Sequence, residues 1–301
     1  MQVPRMDLDE TGSPAGLVTK ILKAEPALTY PIPIEDLARQ LDIEEIAELE
    51  SQGFEGGLIT DDARSRGIIL VNGLAVRGRR RFTIAHELGH FLIPTHKPKQ
   101  GAEFMCSRSD MRQWSINDQN GYARMEAQAN EFAALMLMPP PLLRKVMGGF
   151  RDPNLGQAID LAKQFDVSKE AAARAFANYH DEPVAVIVTK DGRIDRIYRN
   201  ATRFPHLSVQ PGDAVPKQSH LHYALKTKTD HSEPVTAAAE AWLESRWGQR
   251  LPDLYEQVHL QRDGFAMIML WAEVAPDEEE DGEDDRTSKQ RLQDRLARSN
   301  R

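Results

Sequence analysis

His86-Glu87-Leu88-Gly89-His90 restricts this chain more than any other segment. Phe82, Ala85, Leu88 and Leu92 lay an apolar stripe along the same stretch, so it reads as a helix with one face in a core. Positions i and i+4 lie on one face of a helix, and both imidazoles can therefore reach the same metal ion. Two neutral nitrogens suit a borderline-soft ion such as zinc, which keeps one position open for water in catalytic sites. Bound zinc lowers the pKa of such a water from about 15.7 toward 7. Glu87, one residue along, is placed to take the proton and pass it to a leaving amine. Mn2+ is expected to replace zinc in assays, since affinity order alone does not settle the ion used.

A third ligand is needed, and the sequence offers three candidates. His96 sits six residues beyond His90, the metzincin spacing, but that pattern needs a glycine where this chain has Ile93. Glu126, in Glu126-Ala-Gln-Ala-Asn130, is favoured, because it completes a set of two histidines and a carboxylate. Asn130, one turn later, would hydrogen-bond a ligating histidine and fix its orientation. Glu131 is the remaining candidate. If His96 does not ligate, it reads as a polar residue just past a helix end.

Punctuation and periodicity organise the rest of the 301 residues. Short helices are expected at 17–23 and 34–41. Residues 54–72 read as a β-hairpin or two adjacent strands. The metal helix should run over 80–93 and stop at Pro94, since proline cannot donate the next helical hydrogen bond. Residues 97–118 read as loop. A helix over 122–138 should end at Pro139-Pro140-Pro141, and 155–165 and 168–179 should form a helix pair. Beyond residue 181 the pattern changes. Strands at 184–189 and 194–198 flank Asp191-Gly192, and strands at 258–261 and 265–271 flank Asp263-Gly264, both strong hairpin signals. A helix is expected at 236–247.

Charge and cysteine content narrow the function classes. The net charge is −8, and residues 277–301 contribute nine acids and six bases, leaving 37 acids and 32 bases elsewhere. A mildly acidic body argues against a general nucleic-acid or anionic-membrane binder. One cysteine, Cys106, forms no internal disulfide, and a four-thiolate zinc site is impossible. No signal-type segment and no apolar stretch of about 18 residues occurs, so a soluble, cytoplasmic protein is expected.

The chain resembles the ImmA/IrrE metallopeptidases. The matching text is Gly53-Phe54-Glu55-Gly56-Gly57-Leu58, then Ile68-Ile69-Leu70-Val71-Asn72, then Arg79-Arg80-Arg81-Phe82-Thr83-Ile84-Ala85-His86-Glu87-Leu88-Gly89-His90-Phe91. It continues from Glu126 through Asn130, Phe132, Ala133, Ala134 and Leu135 to Met138-Pro139, so the resemblance covers roughly residues 33–180. It implies zinc ligands His86, His90 and Glu126, with Glu87 as the catalytic base. It also implies a gluzincin-like endopeptidase that cleaves a helix-turn-helix transcriptional repressor in a stress response or in mobile-element control.

The fold expected is α+β. A zincin-like peptidase domain with a small sheet and metal-binding helices spans 1–140, and a helix-turn-helix-like helix pair 141–181. A C-terminal α+β module spans 182–275, where larger family members carry a GAF-like sensory domain, and an acidic then basic disordered tail spans 276–301. The alternative function is a non-cleaving anti-repressor or DNA-binding regulator with a structural zinc.

Four further features carry bland readings beside sharper ones. The second helix of the pair offers only Lys169 and Arg174 as bases, opposed by Glu170, so a structural or substrate-docking role is preferred over DNA contact. Arg77, Arg79, Arg80 and Arg81 crowd a helix start, where the dipole disfavours cations, so they should pair with acids such as Glu55 or Asp61, or meet an acidic substrate segment. Cys106 is either an inert loop cysteine or a redox-sensitive thiol near the zinc. His206, His220, His222, His231 and His259 lack a tight metal spacing. No ligand of the C-terminal module and no oligomeric state follow from the sequence.

Overall fold

The computed structural model describes residues 3–50, 54–61, 63–97, 103–107, 121–150, 152–230, 233–245 and 250–273. The expected tail at 276–301 and His231 lie outside the described residues.

The first half is a helical layer on one face of a small sheet. Helices α1 (Pro14–Ala24) and α2 (Ile34–Gln40) precede strand β1 (Ile43–Leu49). Ser13 caps α1 by accepting from the Gly16 amide at 3.2 Å, and Pro14 occupies the first turn, where its missing N–H costs nothing. Strands β2 (Phe54–Thr60) and β3 (Gly67–Asn72) form the expected antiparallel pair. They are followed by α3 (Arg77–Leu92), β4 (Glu103–Ser107) and α4 (Gly121–Leu137). The sheet order is β1-β3-β2-β4, with β1 parallel to β3 and β4 antiparallel to β2. Gly67, Ile69 and Val71 of β3 are buried while Ile68, Leu70 and Asn72 are less so, as one covered face requires. Leu17, Ile21, Leu37, Leu58, Ile69, Ile84, Leu88, Phe91 and Phe132 share the core between the layers.

Two expectations are corrected here. Residues 103–107, read as loop, form β4 at the sheet's edge. β1 was not foreseen, because Ile43, Ile46 and Leu49 are spaced by three, as on a helix. Parallel pairing with β3 overrides that local period. The prolines after α4 end that helix and also begin α5 (Pro140–Met147), where they occupy the tolerated first turn.

The helix pair is α6 (Leu155–Phe165) and α7 (Lys169–Tyr179). Asn154 and Gln157 form a capping box at the start of α6, and Asp166, at φ 53°, ends it in the left-handed region. Ser168 caps α7 by accepting from the Ala171 amide at 3.1 Å. The arginines of α3 reach this turn and the acids around it. Arg77 pairs with Asp166 at 2.6 Å, and Arg81 donates to the Asp166 and Ile32 carbonyls. Arg79 pairs with Glu55, and Arg80 with Glu35 and Glu48. Asp61, the other acid expected, instead accepts from the Ser65 amide and hydroxyl.

The C-terminal sheet is antiparallel, in the order β6-β5-β9-β8-β7. Its strands are β5 (Val184–Lys190), β6 (Arg193–Arg199), β7 (Val235–Ala237), β8 (Asp253–Leu260) and β9 (Phe265–Glu273), with α8 (Leu221–Thr227) and α9 (Ala239–Trp242) between them. Both hairpin turns have the left-handed pairs expected, at φ 49° and 75° for Asp191-Gly192 and 55° and 73° for Asp263-Gly264. Over the described part of the helix expected at 236–247, to 245, β7 and the short α9 stand instead, since Val235 and Thr236 pair with β8 and Trp242 is drawn into the core. α8 was not foreseen.

β5 is buried on both faces, which explains its unbroken apolar run. Val184, Val186 and Val188, with Met267 and Met269 of β9, pack on Phe165, Phe176 and the alanines of α7. Ala185, Ile187, Ile268 and Leu270 face the opposite way, toward Phe204, Leu221 and Trp242. α7 therefore lies between α6 and the β5–β6 hairpin, and Tyr198 of β6 donates to Glu170 at 2.6 Å. Lys169 is 3.1 Å from His259 Nε2, and the Leu155 amide donates to Gln257 at 2.7 Å.

Candidate metal centre

α3 and α4 cross closely enough to share a polar cluster, and a glycine permits it. A Cβ at Gly89 would meet the Phe132 side chain of α4 at 3.1 Å, so a larger residue there would require Phe132 to give by a few tenths of an ångström. Arg64, in the β2–β3 turn, caps the other end of α3. Its guanidinium donates to the carbonyls of His90, Phe91 and Ile93, satisfying the acceptors that a helix C-terminus leaves open.

His86, Glu87, His90, Glu126 and Asn130 are all buried, at 1% exposure or less. His86 Nε2 and His90 Nε2 stand 3.1 Å apart, and Glu126 reaches them at 3.3 and 3.5 Å. Asn130 Oδ1 lies 3.0 Å from His86 Nδ1. Glu131, the reserve candidate, is exposed and outside the cluster. His96 lies just past the end of α3, as its fallback reading has it. It is fully buried, with Nδ1 3.0 Å from His90 Nδ1 and Nε2 3.1 Å from Gln128 Oε1. It backs His90 instead of joining the donor atoms. Cys106, read as a loop cysteine, is buried on β4, its Sγ 3.9 Å from both His90 Nε2 and Glu126 Oε2.

The hydrogen bonds assign the tautomers. Gln128 Oε1 accepts from His96 Nε2–H, so His96 Nδ1 must accept in turn from His90 Nδ1–H. Asn130 Oδ1 likewise takes the proton of His86 Nδ1. Both Nε2 atoms are then lone-pair donors aimed at one point beside a carboxylate, and such a set of acceptors calls for a cation between them. Burial opposes charge on His86, yet the hydrogen bond and charge of Glu126, with Glu87 and Asn130, raise its affinity for a proton. Burial lowers that of His90. It also drives His96 down to about 3, so this ring stays neutral, as its part in the chain requires. Glu126 would be raised by burial, but the two histidines hold its carboxyl well below the ordinary range. Proton and metal ion compete for the same nitrogens, and the Glu126 carboxylate beside both rings favours positive charge against their burial. The residues present fit a divalent ion of zinc type, and among the described residues His86, His90, Cys106 and Glu126 form the group able to hold one.

Among the described residues after 181, the histidines join no group able to hold a metal. His220 and His222 begin α8 and bond the carbonyls of Thr236 and Pro216, while His259 pairs with Asp230 at 2.7 Å.

The chain is similar to known proteins over part of its length. Residues 43–176 match the peptidase M78 family model, described as the IrrE N-terminal-like domain. Over 133 residues the chain is 30% identical to the radiation response metalloprotease IrrE of Deinococcus radiodurans, covering 43% of this chain and 36% of that protein. The chain thus spans about a third of that relative's length. A Mycobacterium tuberculosis transcriptional regulator aligns over 89% of this chain and 76% of its own, at 13% identity and a TM-score of 0.45.

Proposed function

We propose that this chain, whose residues 43–176 match the IrrE N-terminal-like peptidase model, is a zinc-dependent endopeptidase that cleaves one cytoplasmic protein. The observation that carries the reading is the convergence of His86 Nε2, His90 Nε2 and the Glu126 carboxylate, 3.1–3.5 Å apart, beside buried Glu87. A bound divalent ion supplies Lewis acidity toward a scissile carbonyl and acidifies water. His86, His90 and Glu126 hold the ion, while Asn130 and His96 fix the two imidazoles. Glu87 takes the water's proton and delivers it to the leaving amine. β4, at the sheet's edge, offers backbone groups along which an extended peptide can align.

The substrate proposed is a helix-turn-helix repressor, with cleavage relieving repression under stress or in mobile-element control. α7 supports a role other than DNA reading, because it is packed between α6 and the β5–β6 hairpin. The C-terminal module is proposed to regulate cleavage or recruit partners. Among the described residues no helix is long and apolar enough to cross a membrane. The test is co-incubation of the zinc-loaded chain with a small helix-turn-helix regulator encoded beside it, read by mass spectrometry. A single new cut that disappears in Glu87→Gln is expected. An intact regulator that is nonetheless released from its operator would favour the non-cleaving anti-repressor.

A further inference from the structure

Cys106 has no part in the reaction just described, yet it occupies the same cluster. Its Sγ, one ring nitrogen each of His86 and His90, and a Glu126 oxygen all lie within 4.8 Å of one another. Around a tetrahedral ion, nitrogen and oxygen donors at about 2.0–2.1 Å stand roughly 3.3–3.4 Å apart, and a sulfur at about 2.3 Å stands roughly 3.6 Å from each of them. The separations here are 3.1, 3.3 and 3.5 Å among His86, His90 and Glu126, and 3.9 Å from the sulfur to His90 and to Glu126. The Glu126 distances are from Oε2 to His86 and to the sulfur and from Oε1 to His90, and the sulfur lies within 4.8 Å of a His86 ring nitrogen, so the four side chains surround one point.

The placement has a cause in the sheet. Cys106 is opposite Gly56 of β2, so its neighbour on that strand carries no side chain. A buried cysteine commonly serves as a small hydrophobe. Here the sulfur meets a ring nitrogen and a carboxylate, which makes packing a poor account of its position.

We propose that the Cys106 thiolate is a fourth protein ligand in the resting site. The thiol proton is released to solvent as the metal–sulfur bond forms. The ion is then closed in by two imidazoles, a carboxylate and a thiolate, and water gains a position only when the sulfur leaves. This inference rests on the metal-centre reading above.

The test uses the full chain titrated with cobalt(II), whose bond to a thiolate gives an intense near-ultraviolet charge-transfer band. Because the chain has one cysteine, such a band assigns the sulfur without ambiguity. The expected result is a band saturating at one equivalent and lost in Cys106→Ser, which should bind cobalt at least about tenfold more weakly, no less than the loss of an outer hydrogen-bond partner. One bound equivalent with only the weak bands of nitrogen and oxygen ligation would overturn the proposal and leave the His86, His90 and Glu126 site standing. A near-ultraviolet band that persists in Cys106→Ser would also overturn it. No cobalt bound to the wild-type chain would overturn both this inference and the metal centre.

Discussion

Ending the chain after residue 180 keeps every residue of the proposed metal centre and still should not yield a stable protein. The cut removes Val184, Val186, Val188, Met267 and Met269, each at most 4% exposed, from the face that covers α6 and α7. Burial of one such side chain stabilises by about 1.5–3 kcal/mol, so five of them represent roughly 7–15 kcal/mol. A similar apolar area around Phe165 and Phe176 is uncovered on the helices. A whole domain is stable by only about 5–15 kcal/mol. Residues 1–180 should therefore lose cooperative unfolding in α5–α7 and bind a hydrophobic dye such as ANS. Residues 1–275, which keep every described element, should melt within about 4 °C of the full chain, a difference near 1 kcal/mol. Circular dichroism melts and dye fluorescence on the three proteins decide the matter. A 1–180 chain with one sharp transition in that same range and no dye binding would show that the shared core contributes far less than its burial implies.

Loss of the proposed base in Glu87→Gln should leave metal content at one per chain by elemental analysis and lower cleavage by at least about a hundredfold. Glu126→Ala should lose stoichiometric metal after dialysis, and full occupancy would remove Glu126 from the ligand set. His96→Ala should keep one equivalent but weaken affinity by about 10–100-fold in chelator competition, and an unchanged affinity would refute its hold on His90. In the C-terminal module, burial pushes the Glu256 carboxyl above its ordinary value, against the hydrogen bonds from Ser219 and Trp242. The folded chain then holds that proton more tightly than the unfolded one. Stability should fall as pH rises from the ordinary value of 4.5 through the raised folded-state value, and level off above it. Glu256→Gln should lose this component in urea midpoints measured across that window, and identical profiles for both proteins would reject the argument.

Local signals were readable wherever one chemical rule dominated. Apolar spacing located α1 and the helix pair to within a few residues, and the Asp-Gly turns placed both C-terminal hairpins. The metal helix was legible because its histidine spacing and apolar stripe agree. β1 and β4 were not, since one has a helical spacing and the other is short and acquires its identity from pairing with β2. Cys106 and His96 show the same limit within the site. Cys106 has no spacing that links it to His90, and the metzincin spacing of His96 pointed to a ligand where the turn after α3 makes it a hydrogen-bond partner of His90. Gly89 was visible in the sequence, but its contact with Phe132 depends on how two distant helices cross.

The line from Gln128 through His96 to His90 gives solvent a handle on a site it does not reach. Gln128 is half-buried, while the two rings behind it are sealed. Its carbonyl oxygen decides which nitrogen of His96 carries the proton, and thereby how strongly His90 can share its own lone pair. A carboxylate at this position would pull the His96 proton harder and enrich His90 in electron density, whereas an apolar side chain would leave the tautomer unfixed. Metal avidity could thus be graded by substitution at an accessible helix position, without touching a ligand, while the branch through buried Asn130 stays constant.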